Sequence, residues 1–304
     1  MPGGLCKAAD TLPSAMGSPL HFETPTALEY FATLVADDAT LSVLEAAVAV
    51  AQEDLPGLDP QAVLAEVDAL AERLRRRLPA DAAPVQKLRL LNRYFFQELG
   101  FAGNVNNYYD RRNSYLPEVM RTRRGIPITL ALLHVELAQQ IGLKACGVSF
   151  PGHFLVKVQL PGGEVVIDPF DGRSLTREAL EERLLPYRRR RGLQADDEVP
   201  LGLYLQRAEP RAVLARLLRN LKEIHRSARD WQRLVAVLDR LLVLLPAEWE
   251  ERRDRALVLA EIGRAEDAAS DLALYLQKRP DAHDAPGLRS LLEAWRRRGS
   301  RRAR

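Results

Sequence analysis

Arg124-Gly125-Ile126-Pro127-Ile128-Thr129-Leu130-Ala131, then Phe150-Pro151-Gly152-His153-Phe154-Leu155, then Ile167-Asp168-Pro169-Phe170-Asp171-Gly172 are the three pieces of residues 124–172 that decide the fold. The first reads as the start of a helix. Gly125 stands ahead of it, and Pro127 falls in the first turn, where a missing N–H costs nothing. Leu130, Leu133, Leu137 and Ile141 recur at helical spacing as a buried face, and Gly142 supplies the stop. Three β-like runs follow at 145–150, 154–160 and 164–167, rich in Val and Phe. Pro151-Gly152 and Pro161-Gly162-Gly163 punctuate them. A helix followed by an antiparallel meander predicts an α+β domain.

Upstream, from 26 to about 124, the pattern is helical. Leu64, Val67, Leu70, Leu74 and Leu78 lie on one face, and so do Leu88, Leu91, Tyr94, Phe95 and Leu99 before Gly100. Residues 104–114 (NVNNYYDRRNS) read as an ordered loop with turn-forming Asn and Asp. Residues 1–26 lack a basic segment followed by an apolar one, so they read as a flexible lead-in and not a secretory signal. Downstream, a helix is expected near 177–184, then an Arg-rich linker over 186–204. From about 211 the chain is helical to its end. Pro246 and Pro280 stand 34 residues apart, the period of tetratricopeptide (TPR) hairpins. Counting back from them puts Ala256 and Ala268 in small, close-packing slots and Gly263 in the turn between helices. In the other copy Asn220-Leu221 and Trp231 fit, while Leu234 stands where a small residue is usual. A helix over 288–295 is expected to cap the stack. Lys222 and Arg252 are expected on exposed faces, neutral for folding.

The composition excludes several classes. The 304 residues are 47% hydrophobic and 28% charged, in the globular range and long enough for about two domains. The longest apolar run, 126–133, is far short of a membrane span. Net charge is +3, with 44 basic residues against 41 acidic ones. The excess is local, in the Arg188 to Arg191 run and in a basic tail at 298–304. Neither run has interleaved aromatics or a nucleic-acid motif, so no nucleic-acid partner is expected. Two cysteines, Cys6 and Cys146, cannot make a disulfide framework. A reducing, cytoplasmic compartment is expected.

The order of helix start, His-bearing strand and Asp-bearing strand is that of a Cys-His-Asp hydrolase or acyltransferase on the papain-like plan. There a thiol at a helix N-terminus is acidified by the helix dipole and a neighbouring His. The His acts as base, and the Asp holds its tautomer. His153 and Asp168 form the corresponding pair, yet no cysteine lies between 125 and 131. Thr129 is the nucleophile-capable side chain of that window, and its hydroxyl would need an activating base. Cys146 sits on a strand, where nothing obvious lowers its pKa. His134 lies on a helix, and no His/Cys/Asp/Glu pair has zinc-like spacing, so neither a metal nor a cofactor is expected.

The chain resembles the SirB family of bacterial proteins. The resemblance is carried by Asn113-Ser114-Tyr115-Leu116, by 124–128, 150–155 and 168–172, and in the repeats by Asn220-Leu221-Lys222, Arg253-Asp254-Arg255 and Asp271-Leu272. It implies a transglutaminase-like domain at about 27–185 followed by an all-α TPR-like domain at about 205–297. It also implies a regulatory role, since members have been linked to regulation of invasion genes. Active transglutaminases carry Gly-x-Cys at the helix start with a small residue four positions later. Here Gly125 and Ala131 fit that spacing, and Pro127 takes the thiol's place; counting back from Gly142 moves the slot to Ile128. The resemblance places Asn113, Tyr115, Pro127 and Phe154 along the cleft, with the 104–110 loop beside them. Two readings stand. One is a non-catalytic scaffold whose repeats present a concave surface to a protein or peptide. The other is an amide-bond hydrolase or acyltransferase that uses His153-Asp168 with an unconventional nucleophile.

Overall fold

The structure, a computed structural model, describes residues 25–191 and 199–302, with side chains to 297. Most of the lead-in with Cys6, part of the Arg-rich linker and the side chains of the basic tail lie outside the described residues. Helices α1 (Ala27–Leu34), α2 (Val43–Ala49), α3 (Pro60–Arg75) and α4 (Pro84–Asn92) come first, and a π-helical turn (Arg93–Glu98) extends α4. Their starts follow local chemistry. Thr26 forms a reciprocal cap with Glu29, Ser42 and Asp59 cap α2 and α3, and prolines open α3 and α4. Val67, Leu70 and Leu74 of α3 are buried as their spacing predicts.

A two-residue strand β1 (Ala102–Gly103) pairs in parallel with β2 (Arg124–Gly125) across a single-turn helix (Arg111–Ser114) and α5 (Leu116–Thr122). Helix α6 (Pro127–Gln140) then runs through the core, buried on most sides. The meander β3 (Lys144–Val148), β4 (Leu155–Leu160) and β5 (Gly163–Ile167) is antiparallel throughout, and a short β6 (Ser174–Leu175) extends it in the order β3-β4-β5-β6. The α+β expectation is met. Helix α7 (Arg177–Arg190) runs further than its apolar spacing suggests, so the first arginines of the expected linker are helical.

After α8 (Leu201–Tyr204) come two helical hairpins, α9 (Pro210–Ala228) with α10 (Trp231–Leu244) and α11 (Trp249–Glu261) with α12 (Ala265–Lys278). Helix α13 (Ala285–Arg302) closes the stack. Gly263 turns the second hairpin at φ +80°, a conformation that side chains rarely adopt. Ala256 and Ala268 are fully buried where the helices approach. Lys222 and Arg252 depart from expectation. Lys222 is buried, and its Nζ lies 2.5 Å from Glu251 and 2.6 Å from Asp254. Arg252 bonds Asp271 at 2.9 Å, and its Nε is buried without a partner. The acids come from neighbouring helices, which a single-helix pattern does not display.

The apolar core does not break between the two halves. One cluster of buried side chains runs from Phe31 through α6 and the sheet to Leu238 and Ala268. Arginines of the repeats clasp the N-terminal half. Arg211 bonds the Val35 carbonyl at 2.6 Å, Arg216 the Phe150 carbonyl at 3.0 Å, and Arg233 the Asp54 carboxylate.

Candidate functional site

The β4–β5 register sets the pair of interest. Val156 opposes Ile167, so the turn before β4 and the residue after β5 meet at one end of the hairpin. His153 and Asp168 occupy those places, with His153 Nε2 2.8 Å from Asp168 Oδ1. Asp168 is almost wholly buried. It also accepts from the Phe170 backbone N–H at 2.9 Å and from Arg183 of α7 at 2.8 Å. Burial works against its ionisation, but His153, the Phe170 amide and Arg183 prevail and hold the carboxyl down at about 2. An ionised carboxylate only accepts, so His153 carries a proton on Nε2 and donates it to Asp168. No hydrogen bond to Nδ1 is made among the described residues, and the imidazole is about a quarter exposed (24%).

The helix start is built differently from a nucleophile site. Thr129 is fully buried, and its hydroxyl lies 2.8 Å from the Asn113 carbonyl, 3.0 Å from the Ile126 carbonyl and 3.2 Å from the Ile126 N–H. The Ile126 N–H donates to it, and its single proton serves the carbonyls. Thr129 thus closes the first turn of α6 and ties it to the preceding loop. A Cβ at Gly125 would lie 2.8 Å from the same hydroxyl, which accounts for the glycine there.

Asn113, Tyr115, Pro127 and Phe154, expected along a cleft, are all buried. Asn113 works inside the 104–110 loop. Its Nδ2 donates to the carbonyls of Asn107 (2.7 Å) and Tyr108 (3.1 Å), and its Oδ1 accepts from Asn104 at 2.9 Å. Burial, then the charge of Asp54, pushes the Tyr115 phenol upward. Phe154 packs against Gly147, where a Cβ would meet its ring at 2.7 Å, and carries the Arg216 guanidinium 5.6 Å from its centroid. It also borders a cavity of about 290 Å³ shared with Cys146. Burial raises the Cys146 thiol above its ordinary value, so the strand thiol is not activated.

An open groove lies beside the start of α6, bounded by Tyr108, Tyr109 and Ile126 on one side and by Asn220, Glu223 and Ile224 of α9 on the other. His134 is remote from any ligand chemistry. It is fully buried between Phe95 and Phe96, donates from Nε2 to Asn92 Oδ1 at 2.9 Å, and is held down to about 4 by burial. No group of three His, Cys, Asp or Glu side chains among the described residues could hold a metal ion.

Sequence spacing pointed to His153 and Asp168 and did not reveal Arg183 or Arg216. Arg183 is one of many arginines on a charged helix, and only the fold brings it to Asp168. The Tyr108-Tyr109 pair carried a signal, since adjacent tyrosines in a polar loop are costly to expose.

A helix start, a His-bearing turn and an Asp at the end of the next strand define a transglutaminase-like core, here continuous with helical hairpins. Residues 61–219 match the transglutaminase-like superfamily, to which the chain belongs, and residues 221–293 match the tetratricopeptide repeat. A UPF0162 protein of Xylella fastidiosa (strain 9a5c) is 38% identical over 257 residues, covering 84% of this chain and 90% of the relative. A UPF0162 protein of Pseudomonas aeruginosa is 31% identical over 241 residues, covering 79% and 86%. One from Escherichia coli K12 is 25% identical over 232 residues, covering 76% and 82%. No solved structure matches the chain.

Proposed function

We propose that the protein is a non-catalytic transglutaminase-like scaffold that acts as a regulatory or protein-interaction module; the resemblance to the SirB family implies the regulatory part alone. The reading includes a cytoplasmic location. One observation carries it. Where the superfamily's active members place a thiol, this chain has Pro127, and the nearby hydroxyl of Thr129 is spent on fixing the turn. A buried hydroxyl already bonded to two carbonyls has neither a base to take its proton nor room to meet a substrate carbonyl. TPR-type hairpins support the interaction half of the proposal, because stacked helices offer extended surfaces for protein segments.

Incorporation of a fluorescent primary amine into a glutamine-rich acceptor protein, together with release of ammonia from it, tests the reading. Wild type and a folded His153→Ala variant are expected to be equally inactive, while the intact chain retains a specific partner in affinity capture from native lysate. Turnover by wild type that is lost in His153→Ala would overturn it. That result would favour a second reading, an amide-bond hydrolase or acyltransferase, supported by the retained 2.8 Å bond between His153 and Asp168 and by the free Nδ1.

A further inference from the structure

The fold does not account for the tyrosines it displays beside α6. Val105, Tyr108 and Tyr109 are 78%, 42% and 80% exposed, a cluster of large apolar side chains within five residues. The loop that carries them is rigidly built. The buried Asn113 amide holds the Asn107 and Tyr108 carbonyls, and Asn104 Oδ1 accepts the Asn107 N–H at 3.1 Å. Burying an amide to fix exposed aromatics pre-pays the ordering cost that binding otherwise incurs. Tyr108 and Tyr109 meet edge to face, with centroids 5.3 Å apart.

Facing the loop across a groove of about 580 Å³ are Glu223, Ile224 and Ala228 of α9, with Ile126 on the loop's own side. That volume suits one or two side chains of a partner, since small-ligand pockets run to roughly 300–1,000 Å³. Its lining contains one carboxylate and no cation. Arg216, the cation that bears on Tyr108, is half-buried and committed to Ser149 Oγ at 2.9 Å and to the Phe150 carbonyl. Glu223 is held by Arg226 at 3.2 Å, but Arg226 also donates to Asp254 at 2.9 Å and need not follow if Glu223 takes another partner.

We propose that this groove binds a segment of a partner protein through a lysine or arginine side chain, held between the Tyr108-Tyr109 pair and the Glu223 carboxylate. Aromatic faces attract cations through their quadrupole. The apolar walls of Ile126, Ile224 and Ala228 suit the methylene stem of such a side chain. The proposal rests on the reading of the chain as an interaction module. It places the partner at the junction of the two halves and not on the concave face of the hairpins.

Panning a phage-displayed random heptapeptide library against the full chain tests it. The probe for each variant is the synthetic peptide of the most enriched family, measured by calorimetry. Enrichment of peptides with Lys or Arg beside apolar residues is expected. Affinity should fall roughly tenfold or more in Tyr109→Ala, in Glu223→Lys and when the peptide's basic residue becomes Gln. Tyr109 and Glu223 are exposed, so both variants are expected to fold, and circular dichroism checks this. Peptides without a basic residue, or basic peptides that bind the variants as well as wild type, would overturn the proposal. Binding that is instead lost on changes along the hairpins' concave face would overturn it and leave the interaction reading standing. No enrichment at all overturns the proposal, and lysate capture then judges the broader reading separately.

Discussion

Lys222→Met is the sharpest test of how the repeats are held together. Lys222 lies on α9 and reaches two acids of α11, Glu251 at 2.5 Å and Asp254 at 2.6 Å, all three largely removed from solvent. Glu251 also takes Arg219 at 2.9 Å, and Asp254 takes Arg226 at 2.9 Å and Arg253 at 2.8 Å. The ammonium is therefore the buried centre of a chain of charges joining the first hairpin to the second. Methionine keeps most of the volume and removes the charge. Breaking a buried pair by deleting one partner costs about 3–5 kcal/mol. Both acids keep an arginine, so the expected loss is at the lower end, about 3 kcal/mol.

The assay is urea unfolding followed by far-ultraviolet circular dichroism, with the double variant Lys222→Met/Glu251→Leu as the companion. Replacing both partners by apolar groups is often neutral, so the double variant should recover a large part of the loss. The coupling between the two sites should then exceed about 1 kcal/mol, as for groups in direct contact. A Lys222→Met loss within about 0.5 kcal/mol of zero, the range of ordinary surface changes, would refute the reasoning. So would strict additivity of the two substitutions.

Four further outcomes are expected. Ala268→Phe should overpack the second hairpin and cost about 1–3 kcal/mol in the same assay, because the site is fully buried; a neutral result would mean that the helices do not approach there. His134 is held down to about 4, so it stabilises the fold fully above the unfolded value near 6.5 and loses that contribution as pH falls towards 4. The loss is about 3 kcal/mol, and the pH dependence between 6.5 and 4 should flatten in His134→Leu. Asp168, lowered to about 2, acts in a lower window: its contribution is full above about 4 and is lost as pH falls towards 2, and Asp168→Asn should remove that last step. Cys146→Ser should leave function unchanged, and alkylation at neutral pH should be slow because burial raises the thiol. Fast modification of Cys146 in the folded chain would contradict that.

The parts of the fold that were legible in the sequence are those whose cause is local. Pro127 and Gly142 bracket α6 because one tolerates a helix start and the other a helix stop. The Pro-Gly turns cut the meander where the strands end. Gly263 and the two alanines mark the second hairpin because turn geometry and close approach each demand a small residue. The failures are long-range. Lys222 falls beside polar neighbours and reads as surface until α11 brings Glu251 from 29 residues away. Arg188 to Arg190 show no apolar face and read as linker, yet α7 carries them as helix through Pro186.

The same division runs through the candidate site. His153 and Asp168 were legible as a pair because strand order and a tight turn put them at one end of a hairpin whatever surrounds them. What the pair can do depends on contacts that spacing does not encode. Arg183 fastens Asp168 from α7, and the repeat helix α9 pins the Phe150 end of the His153 turn through Arg216. The Asp168 carboxylate sets the proton on Nε2, and the pair is useful to catalysis only if a nucleophile faces Nδ1. At the start of α6, Thr129 donates its proton to main-chain carbonyls, so its hydroxyl is committed to closing a helical turn. The local pattern therefore brings the pair together, and the non-local hydrogen bonds that fix Asp168 and Thr129 are the observations on which the scaffold proposal draws.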